Sequence, residues 1–405
     1  MRTIVYLGGF ELPDRNAAAQ RVRNNAGVLR ALGYRVVLLG TSRARPYDRR
    51  IHPADPGGAD VEAWEVGYPR TRGQWFDTIR ADWPLRALAA DGAIDPAGVA
   101  AVICYNHPAL AQRRIARIAR GWGAAALADC TEWYARRSWT SPANIVKNLD
   151  VPLRMRWVNR RMDGLITTSP YLSEFYRPAG LPIVEIPTLM EEPGIDPRAL
   201  AVDRADGVTR LFFAGSGFDP AAVRDSADGL KERLDWVFEA LAVARDRGAR
   251  FTLDLFGLDR AQYLALFPAH TALLETLAGA LRFHGRQPRA QLLSALTEAH
   301  FSIFFRKRTR TTLAGFPGKF SESVAYGTPV LTNDMPSTRK YLEEGRTGFT
   351  LDPHDSRIAG ARLAEIFAMD DDRLAAMKRH CAASRQFAAE SYVEPVRQWL
   401  SAIGL

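Results

Sequence analysis

The sequence predicts an α/β protein made of two consecutive Rossmann-like domains with parallel sheets. Three observations indicate this fold. Short apolar runs that end on glycine or polar loops alternate with helical stretches along the chain. One segment rich in proline, glycine and acidic residues, 187–208, interrupts this alternation. A chain of 405 residues also has the length of two domains and can bury two cores.

The first forty residues have the pattern of a strand–helix–strand unit. An apolar run typical of a buried strand, 3–7, ends on Gly8-Gly9. A helix is expected over 17–32, closed by Gly33, and the next strand over 34–39. Strands that alternate with helices form parallel sheets, whose ligands bind at the carboxyl ends of the strands. Further strands of this domain are expected over 99–104, 124–127 and 164–167.

The same alternation starts again after the interruption. We expect strands over 210–214, 250–256, 281–284, 300–305 and 329–332, and helices over 234–244 and 320–326. The apolar positions of 386–405 fit a terminal helix that packs on a domain. The predicted organisation is therefore a first domain over 1–187, a second over 188–385 and a terminal helix over 386–405.

Composition excludes several classes of protein. Hydrophobic residues make up 47% of the chain and charged residues 24%, as in ordinary globular proteins, which excludes general disorder. No apolar run reaches the roughly 18 residues of a membrane-spanning helix, and the start of the chain has no signal-peptide pattern. Cys104, Cys130 and Cys381 are widely spaced and form no CxxC motif, which argues against disulfide scaffolds and zinc fingers. We expect a cytoplasmic protein.

The excess positive charge lies in the first half of the chain. Residues 1–187 contain 26 Lys and Arg against 17 Asp and Glu, whereas the remainder contains 28 of each, so the net charge of +9 belongs to the first half. Basic stretches with interspersed aromatic residues, 73–89, 113–122 and 153–161, are typical of docking on anionic lipid. Solvated arginine-rich faces give the same pattern. No nucleic-acid-binding module is present, so we expect no nucleic acid partner.

The most informative motif is the loop Gly315 to Gly318 with the helix that follows it. Amides at the start of a helix attract anions, and Lys319 adds a cation there. Glu322 lies one turn further on, where a carboxylate suits a pair of hydrogen bonds from a ribose diol. An ordinary helix start with an acidic first turn has the same spacing, so the residues alone leave both interpretations open.

This segment resembles the nucleotide-sugar signature of retaining GT-B glycosyltransferases of family 4. Many bacterial members read proline–small residue–lysine–aromatic–x–glutamate, followed by Gly-Thr-Pro-Val. The resemblance extends along the chain. It is also carried by the first strand–helix–strand unit, Asp129-Cys130-Thr131-Glu132-Trp133-Tyr134, residues 162–169, Phe213-Ala214-Gly215-Ser216 and His284-Gly285-Arg286.

The resemblance implies a GT-B fold, with two Rossmann-like domains facing across a cleft and a terminal helix that crosses back to the N-terminal domain. It implies transfer of a hexose-type sugar from a UDP- or GDP-sugar to a glycan or lipid-linked glycan, with retention, in polysaccharide and cell-envelope biosynthesis. The expected location is the cytoplasm, at the inner face of the plasma membrane where the acceptor is lipid-linked. A catalytically silent subunit that binds nucleotide sugar and supports a partner is the alternative. A nucleotide-sugar 2-epimerase shares the fold, but its set of carboxylates and histidines is not found here.

Site residues follow from the same resemblance. The residues expected to bind the donor are Gly9, Gly215, Lys231, Gly285, Arg286, Phe316, Pro317, Gly318, Lys319 and Glu322. The residues expected to act in catalysis are His107, Lys231 and Lys319, and those expected to bind the acceptor are Arg21, Glu132 and Trp133. Breaking the anomeric C–O bond leaves negative charge on the diphosphate, which nearby cations and amides stabilise. No Asp-x-Asp metal motif is present, so neither a metal nor another cofactor is expected.

Two positions depart from the family pattern. The first glutamate of the motif corresponds to Ala314, and the arginine usually found after Gly215 corresponds to Ser216. The first departure removes a carboxylate contact to the donor sugar. Both favour the silent subunit, whereas Lys319 and Glu322 together favour the enzyme.

Overall fold

The computed structural model describes residues 1–57, 61–134, 142–191, 194–215 and 230–405. The chain folds into two compact units. The first contains residues 1–191, 314–316 and 388–405, and the second contains residues 192–313 and 317–387. Residues 314–316 thus cluster with the first unit, although the sequence placed them in the second domain.

Within the described ranges, the first unit contains a sheet of eight strands in the order β3-β4-β2-β1-β5-β6-β7-β8. The pairing is parallel except between β3 and β4. The strands are β1 (Thr3–Gly8), β2 (Arg35–Ser42), β3 (His52–Pro53), β4 (Glu62–Gly67), β5 (Val99–Tyr105), β6 (Ala125–Cys130), β7 (Gly164–Thr167) and β8 (Ile183–Glu185). The α-helices are α1 (Ala17–Ala31), α2 (Arg72–Arg80), α3 (Trp83–Ala90), α4 (Ala109–Gly121), α5 (Pro142–Leu153) and α6 (Pro170–Tyr176). Helix α5 continues as a π-helical turn, Arg154–Val158, and a 3-10 turn, Asn159–Arg161.

The second unit, as far as it is described, contains a sheet of six strands in the order β11-β10-β9-β12-β13-β14, all parallel. The strands are β9 (Thr209–Ala214), β10 (Phe251–Phe256), β11 (Leu281–Gly285), β12 (Phe301–Phe304), β13 (Val330–Asn333) and β14 (Gly348–Leu351). The helices are α7 (Leu234–Asp246), α8 (Arg260–Leu266), α9 (Thr271–Thr276), α10 (Arg289–Glu298), α11 (Arg310–Ala314), α12 (Gly318–Ala325), α13 (Pro336–Arg339), α14 (Ser356–Phe367) and α15 (Asp371–Ser384).

Each sheet has one topological switch point. In the first sheet, chain order runs from β1 toward one edge and resumes with β5 on the other side of β1. In the second, it runs from β9 through β10 to β11 and resumes with β12 beside β9. Loops diverge at such points and leave a crevice at the carboxyl ends of the strands, where α/β proteins bind their ligands.

The last helix, α16 (Val393–Ile403), belongs to the first unit. Its apolar stripe of Val396, Trp399 and Leu400 is buried against residues of β1 and α1. The indole of Trp399 donates a hydrogen bond to the carbonyl of Pro182 at 3.2 Å. A Cβ on Gly164 would lie only 2.5 Å from the end of the Ile403 side chain, which would then have to move, so this helix packs closely on β7.

The α/β fold with two parallel sheets is confirmed, and each strand expected from the sequence is present within a few residues. The sequence missed β3, β4, β8 and β14. These strands are short or lie near sheet edges, and β4 interrupts its apolar residues with Glu62 and Glu65. None of the helices in the described part of the chain has the length and apolar composition needed to cross a membrane.

Arg21 has a structural role in the first unit. Its side chain is buried, and its Nε and Nη2 donate to both carboxylate oxygens of Asp129 at 2.9 and 2.8 Å. Its Nη1 donates to the carbonyls of Ile186 and Pro187 at 2.9 and 3.0 Å. These hydrogen bonds join α1, β6 and the chain after β8, and the contact of Arg21 with an acceptor stays a prediction.

Candidate active site

Lys319 lies at the switch point of the second sheet. It is the second residue of α12, and its Nζ lies 4.5 Å from the ring centroid of Phe213 on β9 and 5.5 Å from that of Phe304 on β12. These are the two strands between which chain order reverses. An ammonium group above two aromatic faces is stabilised by their quadrupoles. The cation predicted from the sequence is thus placed where this sheet type binds ligands.

The charge of Lys319 is incompletely compensated. Its Nζ is buried, and Oε1 of Glu232 lies 3.6 Å away, which is long for a hydrogen bond. Burial lowers the pKa of Lys319, and the attraction of Glu232 offsets this only in part. Glu232 also faces the guanidinium of Arg306, at 3.4 Å. Lys319 therefore has the capacity to bind a further anion.

Glu232 is held as a carboxylate by its cationic neighbours. Burial would raise its pKa, but Lys319 and Arg306, followed by Lys231, outweigh burial and lower the pKa below its usual value. The backbone of residue 232 also forms a bridge with that of Arg306, at the end of β12. Neither Glu232 nor Arg306 was predicted as a site residue, because neither belongs to a recognisable motif.

The start of α12 offers amide groups beside Lys319. The helix begins at Gly318, and no side chain in the described ranges caps it, since the residue at the cap is Pro317. Phe316 and Gly318 are half-buried and Pro317 is buried. Uncapped amides at a helix start carry partial positive charge and bind anions. Lys319 and these amides form one positive region.

Glu322 lies one turn into α12, as predicted, and has a partner that the sequence did not reveal. Its Oε1 accepts a hydrogen bond from Nη2 of Arg289 at 2.9 Å. Arg289 opens α10, directly after the loop that follows Gly285 and Arg286. The pair brings the end of β11 next to α12. Arg289 could not be recognised as a site residue from the sequence, because arginine is the common cation throughout this chain.

The amides of two predicted donor-binding glycines, Gly215 and Gly285, already donate hydrogen bonds within the second unit. The amide of Gly215 donates to the carbonyl of Phe256 at 3.0 Å, and that of Gly285 donates to Leu258 at 3.2 Å. A Cβ on Gly215 would lie 2.9 Å from the ring of Phe213 and 3.5 Å from Nζ of Lys319. Gly215 thus leaves room for an anion beside the lysine. Arg286 is exposed directly after β11.

Lys231 is exposed and lies three residues before α7. Its charge contributes to the lowered pKa of Glu232, which places it near the same cluster. Ser216 and the inserted loop up to residue 229 lie outside the described residues. The alignment of Lys231 with the diphosphate-binding lysine of the family stays a prediction.

Ala314, at the position of the first glutamate of the family motif, has an apolar environment. Its side chain is fully buried in the apolar core of the first unit. Its carbonyl accepts a hydrogen bond from the hydroxyl of Ser169 at 2.7 Å. A carboxylate at this position would be buried in an apolar core without a charged partner, at a cost of several kcal/mol.

In the first unit, Gly9 and His107 follow the two strands at its switch point. A Cβ on Gly8 would lie 2.4 Å from the carbonyl oxygen of Tyr105, so β1 can approach β5 only with glycine there. Gly9 is exposed, and a Cβ there would meet no atom within 4 Å. The backbone of Gly9 is therefore accessible to a ligand.

His107 is held neutral. Burial lowers its pKa to about 4, and the positive charge of Arg154 adds to this effect. Nη1 of Arg154 donates to the carbonyl of His107 at 3.3 Å, and the buried Nδ1 of His107 has no hydrogen-bond partner among the described residues. A neutral imidazole can make hydrogen bonds to a ligand, but it cannot supply a proton as an imidazolium near pH 7.

The two predicted acceptor residues after β6 differ in accessibility. Glu132 is half-buried, whereas Trp133 is only 4% exposed. The ring of Trp133 packs edge-on against Phe175 at a centroid distance of 4.7 Å and against Tyr171 at 6.5 Å. Trp133 thus packs as a core residue does, and its contact with an acceptor stays a prediction. Glu132 stays a predicted acceptor residue.

Metal ligands do not cluster in the described residues. Among them, no group of three or more His, Cys, Asp and Glu side chains could hold a metal ion.

A protein-family model matches part of the chain. Residues 204–368 match the family model of glycosyl transferases group 1. Apart from residues 314–316, the matched range lies in the second unit. The matched range contains Glu232, Arg289, Lys319 and Glu322. No curated protein sequence matches the chain significantly.

Solved structures of the same fold cover the whole chain. Sucrose-phosphate synthase from Thermosynechococcus elongatus has a TM-score of 0.64 at 15% identity, covering 100% of this chain and 99% of that one. The catalytic domain of starch synthase IV from Arabidopsis thaliana, bound to ADP and acarbose, has a TM-score of 0.66 at 11% identity, with full coverage of both chains. HepE from Anabaena, in complex with UDP and glucose, has a TM-score of 0.59 at 15% identity, covering 99% and 100%. The fold is GT-B, and together with the family match it supports a glycosyltransferase.

The charge state of His107 can be measured by NMR. We expect its imidazole resonances, assigned by their loss in His107→Gln, to keep the neutral form as pH falls through 6.5 and to titrate near pH 4. Since the pKa is lower in the folded than in the unfolded protein, the contribution of His107 to stability falls as pH decreases through this window. A titration midpoint near 6.5 would contradict the buried environment described for His107.

The role of Glu322 can be tested by substitution. We expect Glu322→Ala to weaken nucleotide-sugar binding by roughly 100-fold, because two hydrogen bonds to a charged group are lost. The thermal unfolding temperature of the free protein should change by no more than about 2 °C. Glu365→Ala removes a comparable surface pair, with Arg362, and serves as the control. Unchanged nucleotide affinity in Glu322→Ala would exclude Glu322 from the site.

Proposed function

We propose that this protein transfers a sugar from a nucleoside diphosphate sugar to a glycan or lipid-linked glycan. The observation that carries the proposal is the position of Lys319, an incompletely compensated cation between the two strands of the switch point and beside the uncapped start of α12. The match of residues 204–368 to group 1 glycosyl transferases supports the same reaction class.

The cluster suits stabilisation of a leaving diphosphate. In the transition state, negative charge builds on the phosphate oxygens, and a preorganised cation in a site of low dielectric lowers the barrier most effectively. Lys319 is held by the rings of Phe213 and Phe304, so little reorganisation is needed. Binding a diphosphate beside Lys319 raises its pKa and so favours the charged form that burial disfavours. Lys231 adds a second cation near the same cluster.

We propose that Glu322 binds the ribose of the donor. It is positioned on α12 by Arg289, which leaves its second carboxylate oxygen to accept from a hydroxyl. The exposed Arg286 and the carboxyl end of β11 lie beside this pair and are suited to hold the base. Gly9 of the first unit supplies an accessible backbone for phosphate contacts.

We propose a retaining mechanism without a metal. When the acceptor hydroxyl attacks on the face from which the diphosphate leaves, the departing phosphate can accept the hydroxyl proton, and no separate base is required. A neutral His107 fits this mechanism as a hydrogen-bonding contact to the donor sugar rather than as an acid. Lys319, Lys231 and the amides of α12 supply the positive charge that a divalent cation provides in metal-dependent transferases.

The proposed setting is polysaccharide or cell-envelope biosynthesis at the cytoplasmic face of the membrane. The basic composition of the first 187 residues supports an acceptor that carries phosphate or lies on an anionic surface. Glu132, at the carboxyl end of β6, is the proposed acceptor contact.

A catalytically silent subunit is the second candidate, favoured by the alanine at position 314. Such a protein would bind donor or glycan without turnover and support a partner. It predicts binding without transfer, which separates it from the enzyme.

The donor can be identified by thermal-shift measurements with UDP, GDP, ADP and CMP, with and without EDTA. We expect one nucleoside diphosphate to raise the unfolding temperature. At a concentration 100 times its dissociation constant, its binding should increase the free energy of unfolding by about 2.7 kcal/mol. EDTA is expected to leave this shift unchanged. The matching nucleotide sugar should then release free nucleoside diphosphate, slowly with water or faster with an acceptor.

Each outcome of this screen has a distinct meaning. A shift that EDTA abolishes would contradict metal independence. Nucleotide binding without release of diphosphate from any donor in the presence of cell-envelope glycan extracts would favour the silent subunit. The absence of any shift would contradict the donor site itself.

A further inference from the structure

A row of exposed apolar side chains runs along the helix formed by α5 and the turns that continue it. Ile145, Leu149, Leu153 and Trp157 follow one another at intervals of four residues and are 38%, 62%, 40% and 58% exposed. Side chains at this spacing lie on one face of a helix. Monomeric soluble proteins rarely expose large contiguous apolar patches, and such patches commonly mark interaction sites.

Helix α2 extends this row. Its Trp75 and Phe76 are 37% and 53% exposed. Nζ of Lys147, on α5, lies 5.4 Å from the ring centroid of Trp75, which brings the two helices side by side. We call the six side chains of Trp75, Phe76, Ile145, Leu149, Leu153 and Trp157 the apolar face.

Basic residues border the apolar face. Lys147, Arg156 and Arg161 are exposed on its own helix, and Arg161 stacks on the ring of Trp157 at 5.1 Å. The neighbouring α4 exposes Arg113 and Arg117. Nη1 of Arg114, on the same helix, donates to the carbonyl of Arg80 at 3.0 Å and so joins α4 to the end of α2.

The carboxylates of these helices point inward. Asp150, the single acidic residue of 142–161, accepts a hydrogen bond from the amide of Ala109 at 2.8 Å. Asp77 of α2 accepts from the hydroxyl of Tyr47 at 2.8 Å. The charge presented around the apolar face is therefore positive.

We propose that the apolar face docks on an anionic lipid bilayer. Exposed tryptophan, phenylalanine and leucine side chains insert at the boundary between headgroups and acyl chains, while bordering lysine and arginine side chains bind lipid phosphates. A second copy of this chain would bring two positive borders together, which opposes self-association through this face. The inference rests on the membrane setting of the proposed function and names the residues that would make the contact. Lipid binding is measured without sugar transfer, so either proposal can fail without the other.

The proposal is tested by cosedimentation of the full chain with lipid vesicles. We expect binding to vesicles of phosphatidylcholine mixed with phosphatidylglycerol and little binding to phosphatidylcholine alone. Lys147→Gln combined with Arg156→Gln should weaken binding by roughly 25-fold, about fivefold for each charge. Arg247→Gln combined with Arg379→Gln, which removes two exposed charges of the second unit, is the matched control and should bind normally.

The apolar contribution has its own control. Leu149→Ser combined with Trp157→Ser should reduce binding by more than about tenfold. Ile358→Ser changes a residue of similar exposure, 59%, on α14 of the second unit and should have no effect. Thermal unfolding of each variant verifies that it is folded.

Three results would overturn the proposal. The first is equal binding of the wild type to neutral and anionic vesicles. The second is wild-type binding by the folded Leu149→Ser/Trp157→Ser variant. The third is a concentration-dependent dimer that this variant disperses, since that would assign the face to a second copy of the chain.

Discussion

A buried ammonium group is stable only where anions, dipoles or aromatic faces compensate its lost hydration, and the second unit is arranged around one such group. Lys319 lies between Phe213 and Phe304, near a carboxylate that is itself shared with Arg306. The compensation is partial, since burial still lowers the pKa of the lysine. The strand ends, the start of α12 and the glycine at 215 all converge on this group, and each leaves space or positive potential for an anion.

The first unit contains a buried cation with the opposite character. Arg21 uses its donors on Asp129 and on two backbone carbonyls, so it holds elements together and has little capacity for a ligand. Breaking such a buried pair costs about 3–5 kcal/mol, whereas exposed pairs contribute about 1 kcal/mol or less. Arg21 and Lys319 thus differ in how completely their partners satisfy them. Arg21 has the partners of a structural cation, whereas Lys319 has those expected of a cation that binds a ligand.

The sequence was sufficient to predict the alternation of strands and helices and the loop that precedes α12. Local patterns determine these features: apolar runs that end on glycine, and a glycine- and proline-bearing loop before a helix. It was also sufficient for Lys319 and Glu322, whose spacing belongs to a recognisable motif.

The remaining features depend on contacts between residues distant in sequence. Glu232, the partner of Lys319, lies almost ninety positions before it in the sequence. Arg289, the partner of Glu322, is one of 48 arginines. No local sequence pattern therefore identifies either partner. Arg21 and Trp133 were predicted as acceptor residues from the family resemblance. Their burial depends on contacts with β6, with the chain after β8 and with α6, and it cannot be predicted from neighbouring residues.

The measurement that tests the account most directly is calorimetric titration of Lys319→Met with the nucleoside diphosphate that stabilises the wild type, and with its monophosphate. If Lys319 binds the phosphate adjoining the sugar, the substitution should remove the preference for the diphosphate, a loss of about 10- to 100-fold, and change the affinity for the monophosphate much less. Lys340→Met, at an exposed lysine of the same unit, should keep the full preference. An undiminished diphosphate preference in Lys319→Met would contradict the central role assigned to this buried cation.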